Sequence, residues 1–189
     1  VNQAAGEDLL LTSACNYYAP GITQAEAEEF YARQKAEGDQ QHPIMYGMNS
    51  RLERAADGSL HENVWRADGM YGAAIRQIVQ MLSQAIPYAE NERQQSVIRK
   101  LIEFYETGNL AVFDAYTILW VEETEGEVDF TNGFTEVYGD PLGLKASWEG
   151  YVNYTDHQAP RRAQALSRNA QWFEDHSPVD ARFKKPLCR

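Results

Sequence analysis

The chain has 189 residues, 43% hydrophobic and 24% charged, a composition that supports a globular domain with a core of ordinary size. Its 17 basic residues against 28 acidic ones leave a net charge of −11, a field that repels phosphate backbones and favours cationic ligands. Nucleic acid is therefore excluded as a partner, since no basic stripe with interleaved aromatics overrides that field. A membrane is excluded too, since no apolar run approaches the roughly 20 residues that a span requires.

Thr23 with Glu26 three residues on is a capping-box pattern, and it predicts a helix over about 24 to 36. Gly38 and Pro43 break it. Pro43 to Arg54 and Leu60 to Ala67 read as two strands joined by the Gly-containing loop Ala56-Asp57-Gly58-Ser59. Helical periodicity then runs from Tyr71 to Ala85, with Ile75, Ile78, Val79 and Leu82 on one face, until Pro87. A helix over about 91 to 107 turns Val97, Ile98, Leu101, Ile102 and Tyr105 inward and stops at Gly108. Asn109 caps a further helix that runs to about Glu122. Val128 to Tyr138 fits strand and helix spacing equally, whereas Trp148 to Tyr154 alternates as a strand. A last helix is expected over about 160 to 175. The mixture gives a single α+β domain spanning 1–189, with helices packed on a small antiparallel sheet or partial β-barrel.

The chemistry-bearing residues narrow quickly. The four histidines are His42, His61, His157 and His176. His61-Glu62-Asn63-Val64-Trp65 begins like HExxH, but Trp65 stands where the second histidine belongs and the segment alternates like a strand, so no metal site is assigned. Asp156-His157 and Asp175-His176 read as surface pairs. No Gly-x-Ser-x-Gly elbow supplies a nucleophile, and Cys15 and Cys188, which could bridge, are expected as free thiols of a cytoplasmic protein. Trp120, Trp148, Trp172, Tyr17 and Tyr18 could line a peptide groove, but aromatic residues at these spacings are read as core. Glu136, Tyr138 and Glu149 remain, on two strand-like segments flanking the turn Gly139-Asp140-Pro141-Leu142-Gly143. Glu136 and Tyr138 are two apart, so on a strand they share a side. A hairpin would bring two carboxylates and a phenol to one patch suited to an ammonium group and a neighbouring carbonyl. Spacing alone favours solvated acids and a core tyrosine in a hairpin. Asn132 and Asp140 are weaker candidates, and Asp140 before Pro141 reads as a turn former.

The segment Gly133 to Gly150 resembles the substrate-binding region of the dipeptidyl peptidase III family, zinc exopeptidases that release dipeptides from peptide N-termini. So do Ala14-Cys15-Asn16-Tyr17-Tyr18, Tyr46 to Leu52, Phe104-Tyr105-Glu106-Thr107-Gly108, Ile118-Leu119-Trp120-Val121 and Asn169 to Pro178, in family order. The resemblance implies the substrate-binding domain of a two-domain peptidase, bacterial branch. It implies that Glu136 and Glu149 hold the substrate's α-ammonium and that Tyr138 has a catalytic role near the scissile carbonyl. The family's HExxGH and EExRxE motifs do not occur in these residues. With a start at Val1 and a stop at Leu187-Cys188-Arg189, the expectation is a fragment that precedes the zinc domain. Zinc would belong to the parent enzyme and not to this part, which alone would be inactive. The partners implied are oligopeptides with a free N-terminus and the missing zinc domain. The alternative is a non-catalytic peptide-binding module of the same fold.

Overall fold

A computed structural model describes residues 1–184 and Pro186, and Cys188 therefore lies outside the described residues. It divides into two compact units, Val1–Val152 and Asn153–Arg189, and the architecture is α+β.

In the first unit, α1 (Gln24–Glu37) begins at the capping box: Thr23 Oγ1 accepts from the Glu26 amide at 3.3 Å and the Glu26 carboxylate accepts from the Thr23 amide at 2.9 Å. Strands β1 (Ser50–Arg54) and β2 (Leu60–Val64) form an antiparallel hairpin in which Leu52 faces Glu62. The other edge of β1 is met by a short parallel bridge from Tyr18, with the Ala19 amide donating to the Leu52 carbonyl at 2.8 Å. The strand expected from Pro43 starts only at Ser50, because Gly47 turns the chain with φ of +90°.

Helices α2 (Gly72–Ala85), α3 (Glu92–Thr107) and α4 (Leu110–Glu122) follow, and α3 packs on both its neighbours. Asn91 and Asn109 cap α3 and α4 by accepting from the amides of Gln94 and Ala111. The inward face of α3 contributes Val97, Ile98, Leu101 and Tyr105 to a core with Trp65, Phe113 and Phe134. A second cluster, Tyr18, Ile22, Phe30, Tyr31 and Leu52 among its members, lies under α1 and the β1–β2 hairpin. Tyr17 packs against both clusters.

Strand β3 (Val128–Glu136) pairs with β4 (Ser147–Tyr154) in a separate two-stranded ribbon. Ser147 sits beside Glu136 and Gly150 beside Asn132, so the strands run antiparallel. A side chain at Gly150 would place its Cβ only 2.9 Å from that of Asn132. In the second unit, the single expected helix is divided into α5 (Ala159–Arg168) and α6 (Ala170–His176). Asn169 separates them, turning its side-chain amide onto the Ala165 carbonyl at 2.7 Å, a local bond that competes with helix continuation.

Gly108 ends α3 in the left-handed conformation, with φ of +69° and its amide on the Phe104 carbonyl at 2.7 Å. A Cβ there would also stand 2.5 Å from Val64 Cγ1. Gly108→Ala should therefore lower stability by about 2 kcal/mol, seen as a lower urea midpoint of unfolding. An unchanged midpoint would mean that neither the backbone conformation nor the contact with β2 constrains this position.

Candidate functional site

The three residues singled out by the sequence all lie at one end of the β3–β4 ribbon. Glu136 is the last residue of β3 and Glu149 the third of β4. Both are half-buried, and Glu149 Oε1 accepts from Thr135 Oγ1 at 2.8 Å. The Glu136 carboxyl is held above its ordinary range, first by partial desolvation and then by the charge and hydrogen-bonding contact of Glu149. Two carboxylates are thus in contact across the ribbon, and a bound cation would relieve their repulsion.

Tyr138 departs from the strand geometry expected of it. The Asp140 amide donates to the Val137 carbonyl at 3.0 Å, which closes a 3₁₀ turn over Val137–Gly139. The same-side rule for residues two apart on a strand does not apply inside that turn. Tyr138 is 77% exposed, so its phenol stands in solvent two residues past Glu136.

Asp140, the expected turn former, is 1% exposed and does more than turn the chain. Its Oδ2 accepts from the amides of Leu144 and Lys145 at 2.8 and 2.9 Å and from the Tyr18 hydroxyl at 2.9 Å; Oδ1 accepts from the Leu142 amide at 3.3 Å. Lys145 is completely buried. Its ammonium donates to the Gly47 carbonyl at 3.1 Å, to Ser50 Oγ at 2.9 Å and to the Tyr31 hydroxyl, and it lies 3.7 Å from Glu62 Oε1. Ser50 and Tyr31 in turn both donate to Glu62. The sequence reading missed Lys145, Glu62, Tyr18 and Tyr31 as a group. The available signal was a lone cation inside the apolar run Leu142-Gly143-Leu144-Lys145-Ala146, because a charge in such surroundings needs a buried partner.

Asn132 anchors the ribbon from below. Its Oδ1 accepts from the Tyr105 hydroxyl at 2.6 Å, and that hydroxyl accepts from Trp148 Nε1 at 2.8 Å. Trp148 is nevertheless half-exposed, as is Trp172, so neither is the core residue expected. Next to the ribbon, Tyr17, Trp65, Tyr71, Phe134 and Trp148 line an apolar cavity of about 520 Å³.

Among the described residues, no three of His, Cys, Asp or Glu converge as a metal site. His61 sits on β2 opposite Glu53, with Trp65 packed in the core. His176 turns its ring nitrogen to the Trp172 carbonyl at 2.8 Å and stacks on that indole. Cys15 has no disulfide partner among the described residues, and no described helix is long and apolar enough to cross a membrane.

The family model described as Peptidase family M49 matches residues 12–188. The chain belongs to this family. It is 24% identical over 188 residues to dipeptidyl peptidase 3 of Dictyostelium discoideum, covering 89% of this chain and 26% of that protein. It is 25% identical over 138 residues to dipeptidyl peptidase 3 of Mus musculus, covering 73% of this chain and 18% of the mouse protein. The chain thus spans about a quarter or less of the length of these relatives. Two solved structures share the fold at a TM-score of 0.61: dipeptidyl-peptidase III from Corallococcus sp. strain EGB, at 21% identity, and DPP III from Caldithrix abyssi, at 18%. They align with 91% and 90% of this chain, and with 30% and 31% of their own lengths.

In this M49 chain, burial lowers the Lys145 ammonium to about 8, against the pull of Glu62 and Asp140. The unfolded chain keeps that proton to about 10.4. Between those values the unfolded state binds more protons, so stability rises with pH across the window. Burial pushes the phenols of Tyr18 and Tyr31 upward. Above about pH 10 the unfolded chain ionises its tyrosines first, and the gain reverses. Urea midpoints measured from pH 7 to 11 should climb and then fall, and the climb should be missing in Lys145→Met. Identical profiles for the two proteins would rule out Lys145 as the group responsible.

Proposed function

We propose that this chain is the substrate-binding part of a zinc-dependent dipeptidyl peptidase, one that releases dipeptides from peptides with a free N-terminus. In this reading Glu136 and Glu149 form an anionic clamp for the α-ammonium. Tyr138 presents its hydroxyl to the scissile carbonyl, where a donated hydrogen bond stabilises the developing oxyanion. The observation that carries the reading is the interaction of the two carboxylates across the ribbon, with the proton affinity of Glu136 raised first by desolvation and then by Glu149. Such a pair is strained until a cation arrives, and a free peptide N-terminus is one. The net charge of −11 adds a long-range field of the right sign.

A clamp of this kind measures substrate length. Gripping the ammonium at a fixed point determines which peptide bond lies beside Tyr138, so orientation is set by binding before any bond is broken. The zinc and its ligands belong to the other part of the two-domain peptidase, and they supply carbonyl polarisation and an activated water when present. The residues of this chain bind, orient and donate one hydrogen bond.

Two outcomes follow. In the full-length peptidase carrying this segment, Glu136→Gln should weaken peptides with a free amine by an order of magnitude or more, and leave N-acetylated peptides little changed. Equal effects on both would remove the clamp. The 189-residue chain by itself should bind far less than one equivalent of zinc and release no dipeptide from a chromogenic substrate. Metal near one equivalent together with turnover would overturn the division of labour.

A further inference from the structure

Between the two clamp carboxylates lie residues 137–146, which belong to neither strand. Two buried polar side chains fix this loop. Asp140 gathers the amides of Leu142, Leu144 and Lys145 and so folds the loop upon itself, while its backbone amide closes the turn that carries Tyr138. Tyr18 ties the same carboxylate to the segment that borders β1. Lys145 then fastens the far end of the loop to Gly47 and Ser50 at the entry of β1, to Tyr31 on α1 and to Glu62 on β2. The Ala146 amide adds a bond to the Met48 carbonyl at 2.9 Å.

Ser50 Oγ at 2.9 Å from Lys145 Nζ has the spacing of a serine–lysine nucleophile pair. Both residues are sealed from solvent, however, and the serine hydroxyl donates to Glu62. The group can bind no substrate, so its role is to hold something else in place. The residue most dependent on it is Tyr138. A phenol that is 77% exposed has almost no packing to orient it, so its position follows from its backbone. That backbone is set by Asp140.

We propose that Asp140 and Lys145 are positioning residues, which place Tyr138 and Glu136 for peptide binding by locking the connecting loop onto α1 and the β1–β2 hairpin. This rests on the clamp reading given above. The network touches no substrate, and its loss acts through the displacement of the residues that do.

The test uses the full-length peptidase with Tyr18→Phe, Lys145→Met and Glu136→Gln. It measures the affinity ratio between a free-amine tetrapeptide and its N-acetylated form, kcat, and amide hydrogen exchange of residues 142–146. Tyr18→Phe removes a single hydrogen bond to Asp140 and leaves its charge in place, so it decides the matter if Lys145→Met does not fold. Expected are faster exchange at Leu144 and Lys145, a kcat at least tenfold lower, and a several-fold smaller preference for the free amine. A merely destabilised protein would lose both peptides equally and keep the ratio. Faster exchange with kcat and the ratio unchanged, while Glu136→Gln abolishes the preference, overturns the positioning role and leaves the clamp standing. A Glu136→Gln enzyme that keeps its preference removes the clamp, and the positioning role with it.

Discussion

An ammonium group buried without solvent is the constraint around which the first unit is organised. Lys145 has no exposure at all, and an unpaired charge in that setting would cost several kcal/mol. The fold meets the requirement by bringing together a carbonyl, two hydroxyls and the Glu62 carboxylate. These partners come from α1, from the turn before β1, from the first residue of β1 and from β2. Satisfying one cation therefore fixes three elements relative to the loop. Glu62 needs its neighbours in the same way, since Tyr31, Ser50 and Gln34 all donate to it. Because hydrogen bonds of this kind fail asymmetrically, the loss of one member leaves the others buried and unmatched.

The hydrophobic parts hold this polar group from two sides. One cluster lies under α1 and includes the rings of Tyr18 and Tyr31, whose hydroxyls belong to the polar network. The other is built on α3 and reaches the β3–β4 ribbon through Phe134. The chain Trp148–Tyr105–Asn132 repeats the device on a smaller scale, with the phenol of a helix residue joining the two strands. Each of these tyrosines contributes apolar area through its ring and specificity through its hydroxyl. The result is a ribbon whose carboxylate-bearing end is tied through its loop to α1 and the β1–β2 hairpin, while Asn132 and Trp148 tie it to α3.

Much of this was legible in the sequence, for identifiable reasons. Thr23 and Glu26, Asn91, Asn109 and Gly108 act locally, so the limits of α1, α3 and α4 follow from a few neighbouring residues. The inward face of α3 follows from a repeat of 3.6 residues. The proximity of Glu136 and Glu149 needed only an antiparallel turn between two alternating segments. What stayed hidden depends on residues far apart in the chain. The 3₁₀ turn at Tyr138 follows from Asp140 being drawn inward by Tyr18, and no local pattern reports that. Lys145 belongs to a residue type found mostly at surfaces, and only its apolar neighbours in the sequence signal a buried one. The start of β1 was misplaced because Gly47 turns where alternation suggested continued strand. The exposure of Trp148 and Trp172 illustrates the general weakness of assigning aromatic residues to a core by type alone.

The separations along the chain carry a consequence for assembly. Tyr18 and Asp140 are 122 residues apart, Tyr31 and Lys145 are 114, and Gly47 and Lys145 are 98. Contacts this distant form late, after closure of large loops whose entropy must be met first. The helices can thus fold during synthesis while the loop between β3 and β4 waits for its terminal fastening. Until residue 145 has left the ribosome, Glu62 and Tyr31 have no cation to enclose, so the acidic end of the ribbon takes its geometry only after α1 and the β1–β2 hairpin have been synthesised.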